Sequence, residues 1–573
     1  MEQEIKEELS PSTFETSSLY RYCEDRNKRF YKVAQFFRFT NFKPAVRNLL
    51  QFGCVFIFTF FFLMLFSAST SFIYPHTSYM FGDSNMLQTI GMAIANGATP
   101  YVDITDHKGL YFFWYEALCY LIHPSFGFFL GEWIIFSINL FCIVKIFGLL
   151  KLSNFTCVAS LCIYLFMSGF IREGNLTEDF SLLFITPALY FYIRGVIDKK
   201  NLYFIIANII CGVGAGVLLF TKVTNAAPLF FLVVFYLVYS IRNKQFKKLI
   251  VNFFACLIPF IIFSAIPFIA SYYGGYLNEM LDAYFFTNMA YSGTHFTVER
   301  FILMIVDILL AALFSVFLIK DYKASSYTSN LHLLLIISII GNGLVFAYFS
   351  TYPHYYIVVH PLVITVTALL VEKIYISKRK NKEPGFKHEN KSVFALLATC
   401  IVFLGATLGD FIYYCAGFYS FFDAGYDKIV AMKNLYQDIE TKDRADGEEG
   451  AVLAIDINAA FYLVNDLVPP YKEFCMQTWQ DEANPQIYDG LETYIADEKP
   501  EWIVTDDSDP FNLGVLSDES LLKREALFDR LLTDYNYVKI DTYYVNEGGK
   551  DKFVDDVKVI DQARGLCLYH LEA

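Results

Sequence analysis

Phe81-Gly82-Asp83-Ser84, then Gly97, Pro100-Tyr101 and Asp103-Ile104-Thr105-Asp106-His107-Lys108-Gly109, place four charged side chains and a histidine within fewer than thirty residues, with strongly apolar sequence on both sides. A carboxylate held beside a membrane, partly out of water, is suited to take a proton from a hydroxyl, and Asp83 is the candidate base. Its plainer reading is the start signal of a helix, and the two roles are compatible. Asp103, Asp106 and His107 offer oxygen and nitrogen ligands for a divalent ion. Their spacing matches no recognised ligand set, and turn formation accounts for at least one of the aspartates. Lys108 leads straight into Tyr111-Phe112-Phe113-Trp114-Tyr115, where an ammonium would meet a lipid phosphate. Its plainer reading is snorkelling towards the headgroups.

Two further polar stretches sit between apolar runs. Arg172-Glu173-Gly174-Asn175-Leu176-Thr177-Glu178-Asp179 ends with two acids at the start of the next apolar run, where acidic groups also favour the helix dipole. Asn175-Leu176-Thr177 matches a glycosylation sequon, a weak signal so close to a membrane. Ser350-Thr351-Tyr352-Pro353-His354-Tyr355-Tyr356 is followed by His360; an aromatic belt explains the tyrosines but not the histidines. Arg172, Lys222, His354 and Tyr355, taken with Asp106, His107 and Lys108, form a set of donors suited to an anionic headgroup.

The elements that must position these residues are membrane helices. Of 573 residues 55% are hydrophobic, 18% aromatic and only 18% charged, which describes a polytopic membrane protein. The net charge of −13 is uneven: residues 416–573 carry 33 acidic and 14 basic side chains, a net of −19, and residues 1–415 carry +6. That distribution excludes a nucleic-acid binder, whose footprint would be a basic face. The polar start at residues 1–48 does not read as a cleaved signal, so the first apolar run is expected to stay as an anchor. Most of the twelve cysteines lie in apolar runs as small buried groups, and no zinc spacing occurs.

Residues 26–47 hold seven basic and no acidic side chains before the apolar run 49–72, which places the N-terminus in the cytoplasm. Ser84 to Asn96 has helical spacing and stops at Gly97. Leu110 to Ile122 is apolar but only thirteen residues long, short of the ~20 that a span needs. If it crossed, every later basic loop would fall outside; if it lies in the interface, all fall inside, as the positive-inside rule demands. The remaining spans are then 128–148, 154–171, 180–197, 202–220, 226–241, 249–271, 300–319, 331–349, 355–374 and 393–415. The expectation is eleven transmembrane helices over 49–415, a first external loop over 72–127 with interfacial helices, and an external soluble α/β domain over 416–573. In that tail Val452 to Ile455, Trp502 to Val504 and Tyr535 to Val545 are expected strands and Leu521 to Leu532 a helix.

Gly82-Asp83-Ser84, Asn96-Gly97, Pro100-Tyr101, Asp103 and Asp106-His107-Lys108-Gly109, with His354-Tyr355-Tyr356 before a span and an external α/β tail, resemble the bacterial branch of the GT-C membrane glycosyltransferases, the protein mannosyltransferase and aminoarabinose transferase superfamily. The resemblance implies inverting transfer of a sugar from a polyprenyl-phosphate carrier to a glycan, lipid or protein acceptor at the outer face of the plasma membrane. Asp83 matches the family's acidic residue of the first loop, Glu178 or Asp179 the second acidic position, and His107 and Lys108 the segment near the carrier phosphate. Leu110 stands where many relatives have proline, and Thr351 and Tyr352 where they have an arginine, so Arg172 or Lys222 would substitute in phosphate binding. A phosphate is a good leaving group, so no cofactor is required, although a divalent metal is compatible. The competing readings are a transporter or flippase of lipid-linked sugars, for which no paired interrupted helices argue, and a membrane-anchored binding protein working through its acidic tail.

Overall fold

The computed structural model describes residues 43–66, 82–171, 174–292, 305, 309, 312–317, 329–349, 353–380, 430–444, 450–455, 457, 459–474, 487–506, 518–545 and 565–572. Helices dominate: α1 Pro44–Phe66, α2 Gly82–Ala95, α3 Leu110–Ile122, α4 Phe126–Leu149, α5 Asn154–Ile171, α6 Thr177–Asp198, α7 Asn201–Leu219, α8 Ala227–Arg242 and α9 Phe246–Gly274. After them come the short α10 Leu277–Leu281 and α11 Thr287–Ser292, then α12 Ser329–Phe349 and α13 His360–Lys380.

Eight helices among the described residues are long and apolar enough to cross a membrane, which makes this a polytopic helical membrane protein. They coincide with eight of the eleven expected spans. The ninth, 154–171, forms α5, whose apolar helical stretch is shorter than a span. Expected spans 300–319 and 393–415 lie largely or wholly outside the described residues, so eight of the eleven expected spans are seen among the residues described. The thirteen residues Leu110–Ile122 do form a separate short helix. It buries Leu110, Phe112, Phe113 and Ala117 against its neighbours and exposes Leu118, Leu121 and Ile122.

Helix contacts follow from where the sequence places small residues. Gly212 and Gly216, four apart on α7, let that helix approach α9 until a Cβ at Gly212 would strike the Cys256 backbone and one at Gly216 the Phe260 carbonyl. Such close approach is how helices gain packing energy where lipid offers as much apolar contact as protein. The other side of α9 exposes Phe253, Ile258, Ile261, Ile262 and Ile269, as a lipid-facing helix must.

The tail contains a helix over 430–444 (α14), β1 Val452–Ile455, α15 Ala460–Asn465, α16 Ile487–Glu498, β2 Trp502–Asp506, α17 Asp518–Thr533, β3 Tyr537–Val545 and β4 Gly565–Leu571. The strands form one sheet in the order β1-β2-β4-β3. β1 and β2 are parallel, which requires a crossover, supplied by the chain through α15 and α16. β4 pairs antiparallel with both β2 and β3. The three strand expectations and the α17 expectation hold, while α14, α16 and β4 were not foreseen. Ala459, Phe461, Tyr462 and Trp502 belong to the same continuous apolar core as Met86, Leu87 and Ile90 of α2, so this sheet is packed onto the helical body.

Candidate functional site

The loop between α2 and α3 is held peptide by peptide. Gly97, at φ +103°, ends α2 by leaving right-handed helical space. Tyr101 follows at φ +66°, a conformation that costs a bulky residue free energy and persists only where surroundings impose it. Its N–H donates to the Ile104 carbonyl at 2.7 Å and its hydroxyl to the Lys108 carbonyl at 3.0 Å. The Lys108 N–H donates to Asp106 Oδ1 at 2.9 Å, and Asn288 Nδ2 donates to the His107 carbonyl at 2.7 Å. Gly109 N–H donates to the Thr221 carbonyl at 2.9 Å, in an approach so close that a Cβ would collide with the Phe220 backbone.

These restraints bring ionic groups from four segments to one place. Asp106, buried, lies 3.3 Å from His107 Nδ1 and 3.5 Å from Lys108 Nζ. Lys222, at the end of α7, reaches Glu178 Oε1 at 2.6 Å in the first turn of α6. The same Nζ stands 3.4 Å from the centre of the Tyr355 ring, a cation–π contact. His354 packs edge-on against Tyr355 and feels the Glu178 charge, and Lys222 is near enough to bear on His107. Asn225, in the 3-10 turn Val223–Ala226 after Lys222, donates to Ser181 Oγ at 3.1 Å and ties that turn to α6.

Burial alone would raise the Asp106 carboxyl, but the neighbouring Lys108 and His107 charges and their hydrogen bonds hold it well below the usual carboxylate range. Burial pushes His107 down from its ordinary value of 6.5, the Lys108 charge adds to the fall, and Asp106 opposes it. Near neutrality His107 is therefore a neutral imidazole beside the Asp106 carboxylate. The Lys222 side chain keeps 19% of its surface open and that of His107 16%.

Of the expected site residues, the structure brings together Asp106, His107, Lys108, Glu178, Lys222, His354 and Tyr355. Asp83 lies half-buried in the first turn of α2. Asp179 Oδ2 accepts the Leu176 N–H at 3.4 Å, and Glu178 is the acid that meets Lys222. Arg172 lies outside the described residues. Asp103 is exposed and shapes its turn by accepting the Thr99 N–H at 2.7 Å. Asp106 also closes a turn, so both aspartates do turn chemistry. Among the described residues no group of three or more His, Cys, Asp or Glu side chains is arranged to hold a metal ion.

Several residues were not foreseen in their roles. Asn175, the sequon residue, is buried at φ +55° and donates to both carboxylate oxygens of Glu116, at 2.9 and 3.0 Å. Asparagine tolerates that left-handed backbone better than most residues, which gives the position a conformational reason. Glu132 on α4 is also buried near Glu116. An acid inside an apolar run was the signal available for Glu132. Nothing in the sequence marked Asn288. No protein-family model matches the chain, and no curated protein matches it either.

Proposed function

We propose that the chain is a membrane glycosyltransferase that moves a sugar from a polyprenyl-phosphate donor to a glycan, lipid or protein acceptor at the outer membrane face, with inversion at the anomeric carbon. The observation that carries this reading is the convergence of Lys108, Lys222, His107 and His354 at one end of the bundle, beside the short apolar helix α3. An anionic lipid headgroup needs fixed donors with an apolar wall next to them, and this end of the molecule supplies both.

In the proposed reaction the acceptor hydroxyl attacks the anomeric carbon while Asp83 accepts its proton. The bond from that carbon to the phosphate oxygen breaks, and the electron pair leaves on the phosphate. Lys108 and Lys222 face the charge that develops there, and their carboxylate partners keep them oriented before substrate arrives. Tyr355 holds Lys222 from the other side. Asp106 and Glu178 thus act as orienting groups for the ammonium donors, and Asp83 as the base.

The test is transfer in vitro from a panel of polyprenyl-phosphate sugars, comparing wild type with Asp83→Asn. Removing a general base is expected to slow transfer by about 10²–10⁴-fold. An Asp83→Asn variant as fast as wild type would refute the base assignment. Carrier binding without transfer to any acceptor would favour the transporter reading.

A further inference from the structure

The tail touches the site loop and both helices that flank it. Thr105 N–H donates to the Lys472 carbonyl at 3.0 Å, directly before Asp106-His107-Lys108. On the preceding helix, the Thr89 hydroxyl stands 2.8 Å from the Asn85 carbonyl and 3.2 Å from the Ala459 carbonyl, sharing its single proton. On the following helix, the Tyr120 hydroxyl donates to Asp466 Oδ1 at 2.6 Å. Ala459, Ala460, Phe461 and Tyr462 are wholly buried between these anchors. Asp466 itself takes φ +55°, the left-handed residue that ends α15 and turns the chain back towards Lys472. One short run of the tail therefore grips α2, the loop and α3 at three separate points.

We propose that the run from Ala459 to Lys472 is a clasp that positions the Asp106-His107-Lys108 loop, with Tyr120 and Asp466 as its positioning residues. Loop backbone in polar surroundings moves easily unless its N–H and C=O groups are engaged, and Thr105 is the loop peptide engaged from outside the membrane body. Loosening the clasp leaves the ionic groups intact but displaces them relative to the base and to each other. Small displacements of that kind lower the rate of a reaction more than they lower binding. The consequence for transfer rests on the glycosyltransferase reading above; the consequence for the loop backbone does not.

The experiment uses the full chain in lipid nanodiscs, with Asp466→Gly, Asp466→Asn and Tyr120→Phe. Glycine keeps the left-handed backbone and removes the acceptor; asparagine keeps both. Amide hydrogen exchange is followed over residues 100–109, with residues 201–219 of α7 as the reference. Asp466→Gly and Tyr120→Phe are expected to speed exchange over 100–109 by about fivefold, the size of one ordinary hydrogen bond. Asp466→Asn should stay near wild type, and the reference should not change. Unaltered exchange over 100–109 in both altered variants overturns the clasp, as does an equal rise over 201–219, which would mean general loosening. In the kinetic arm kcat falls by about fivefold with the donor KM nearly constant, and Asp466→Asn restores it. A fall in thermal stability with kcat unchanged would also overturn it. If wild type transfers no sugar from any donor, the functional reading fails and the exchange arm alone decides the clasp.

Discussion

Two polar regions of this molecule sit among apolar helices, and they are built on opposite rules. In the middle of the bundle, Asn139 of α4 joins Tyr164 of α5 and Thr186 of α6, and Asn208 of α7 joins Tyr192 and Asn252. Every member is neutral, buried and paired with another neutral group, so no charge has to be desolvated. At the end of the bundle, Asp106, His107, Lys108, Glu178 and Lys222 form ion pairs whose carboxylates are buried and whose His107 and Lys222 side chains keep some exposed surface. Replacing such pairs with apolar residues is often neutral or stabilising, so fold stability does not account for them. The contrast separates polar groups that glue helices from the ionic groups proposed to meet an anionic partner.

Breaking the ion pair at Lys222 tests that division most severely. Lys222→Met leaves the Glu178 carboxylate buried without its cation, which costs about 3–5 kcal/mol. In the proposed reaction it also removes a donor from the developing phosphate charge, for a loss of about 10²–10³ in kcat. The double variant Lys222→Met/Glu178→Gln removes both charges. It should regain most of the thermal midpoint lost by the single variant while transfer stays lost. If the double variant recovered activity with stability, Lys222 would be structural and the comparison would collapse.

Gly109→Ala comes next in size. Its Cβ would meet the Phe220 backbone, which belongs to a helix end and cannot swing aside like a side chain. The loop must shift, and a displacement on the order of 1 Å at reacting groups is worth about 10²-fold in rate. Steady-state transfer kinetics should show the loss in kcat, with every charged group still present.

A smaller effect separates the two regions by pH. Because the His107 pKa in the fold lies below 6.5, the unfolded chain binds that proton first as pH falls. Stability is therefore highest above the ordinary histidine range and declines as pH drops through 6.5 towards the lowered value. His107→Gln should flatten the decline in thermal midpoint between about pH 7.5 and pH 5.5. Substitutions in the neutral ladders should leave the slope unaltered, since those amides and hydroxyls do not titrate there.

Much of the helical body was legible because hydrophobic length is a strong signal: eight expected spans coincide with eight apolar helices. Leu110–Ile122 was legible for the same reason, as a separate short apolar helix. The site was legible as a set of charged residues lacking a topological excuse, and Glu178, Lys222 and the Asp106-His107-Lys108 run did converge. Which acid of Glu178 and Asp179 meets Lys222 was not, because both satisfy the start of a helix and only the packed neighbour distinguishes them. Tyr101 and Asn175 were illegible in role for a related reason: positive φ is a property of the folded backbone, and neither residue type requires it. β4 was not foreseen either, although it joins β2 to β3 in the sheet.

The mildest prediction decides whether the division is real. Asn139→Leu removes the amide that accepts from Thr186 Oγ1 at 2.6 Å and donates to the Tyr164 hydroxyl. Two hydroxyls are left in apolar surroundings, and interhelical bonds of this kind are worth roughly 0.6–2 kcal/mol. The thermal midpoint should fall modestly, while kcat and KM per folded molecule stay at wild type, because no charge at the bundle end has moved. A transporter would behave otherwise, since a polar residue near the middle of a span would line the path of the sugar headgroup. Loss of carrier handling in Asn139→Leu, with the ionic cluster intact, would move the working site from the end of the bundle into its interior.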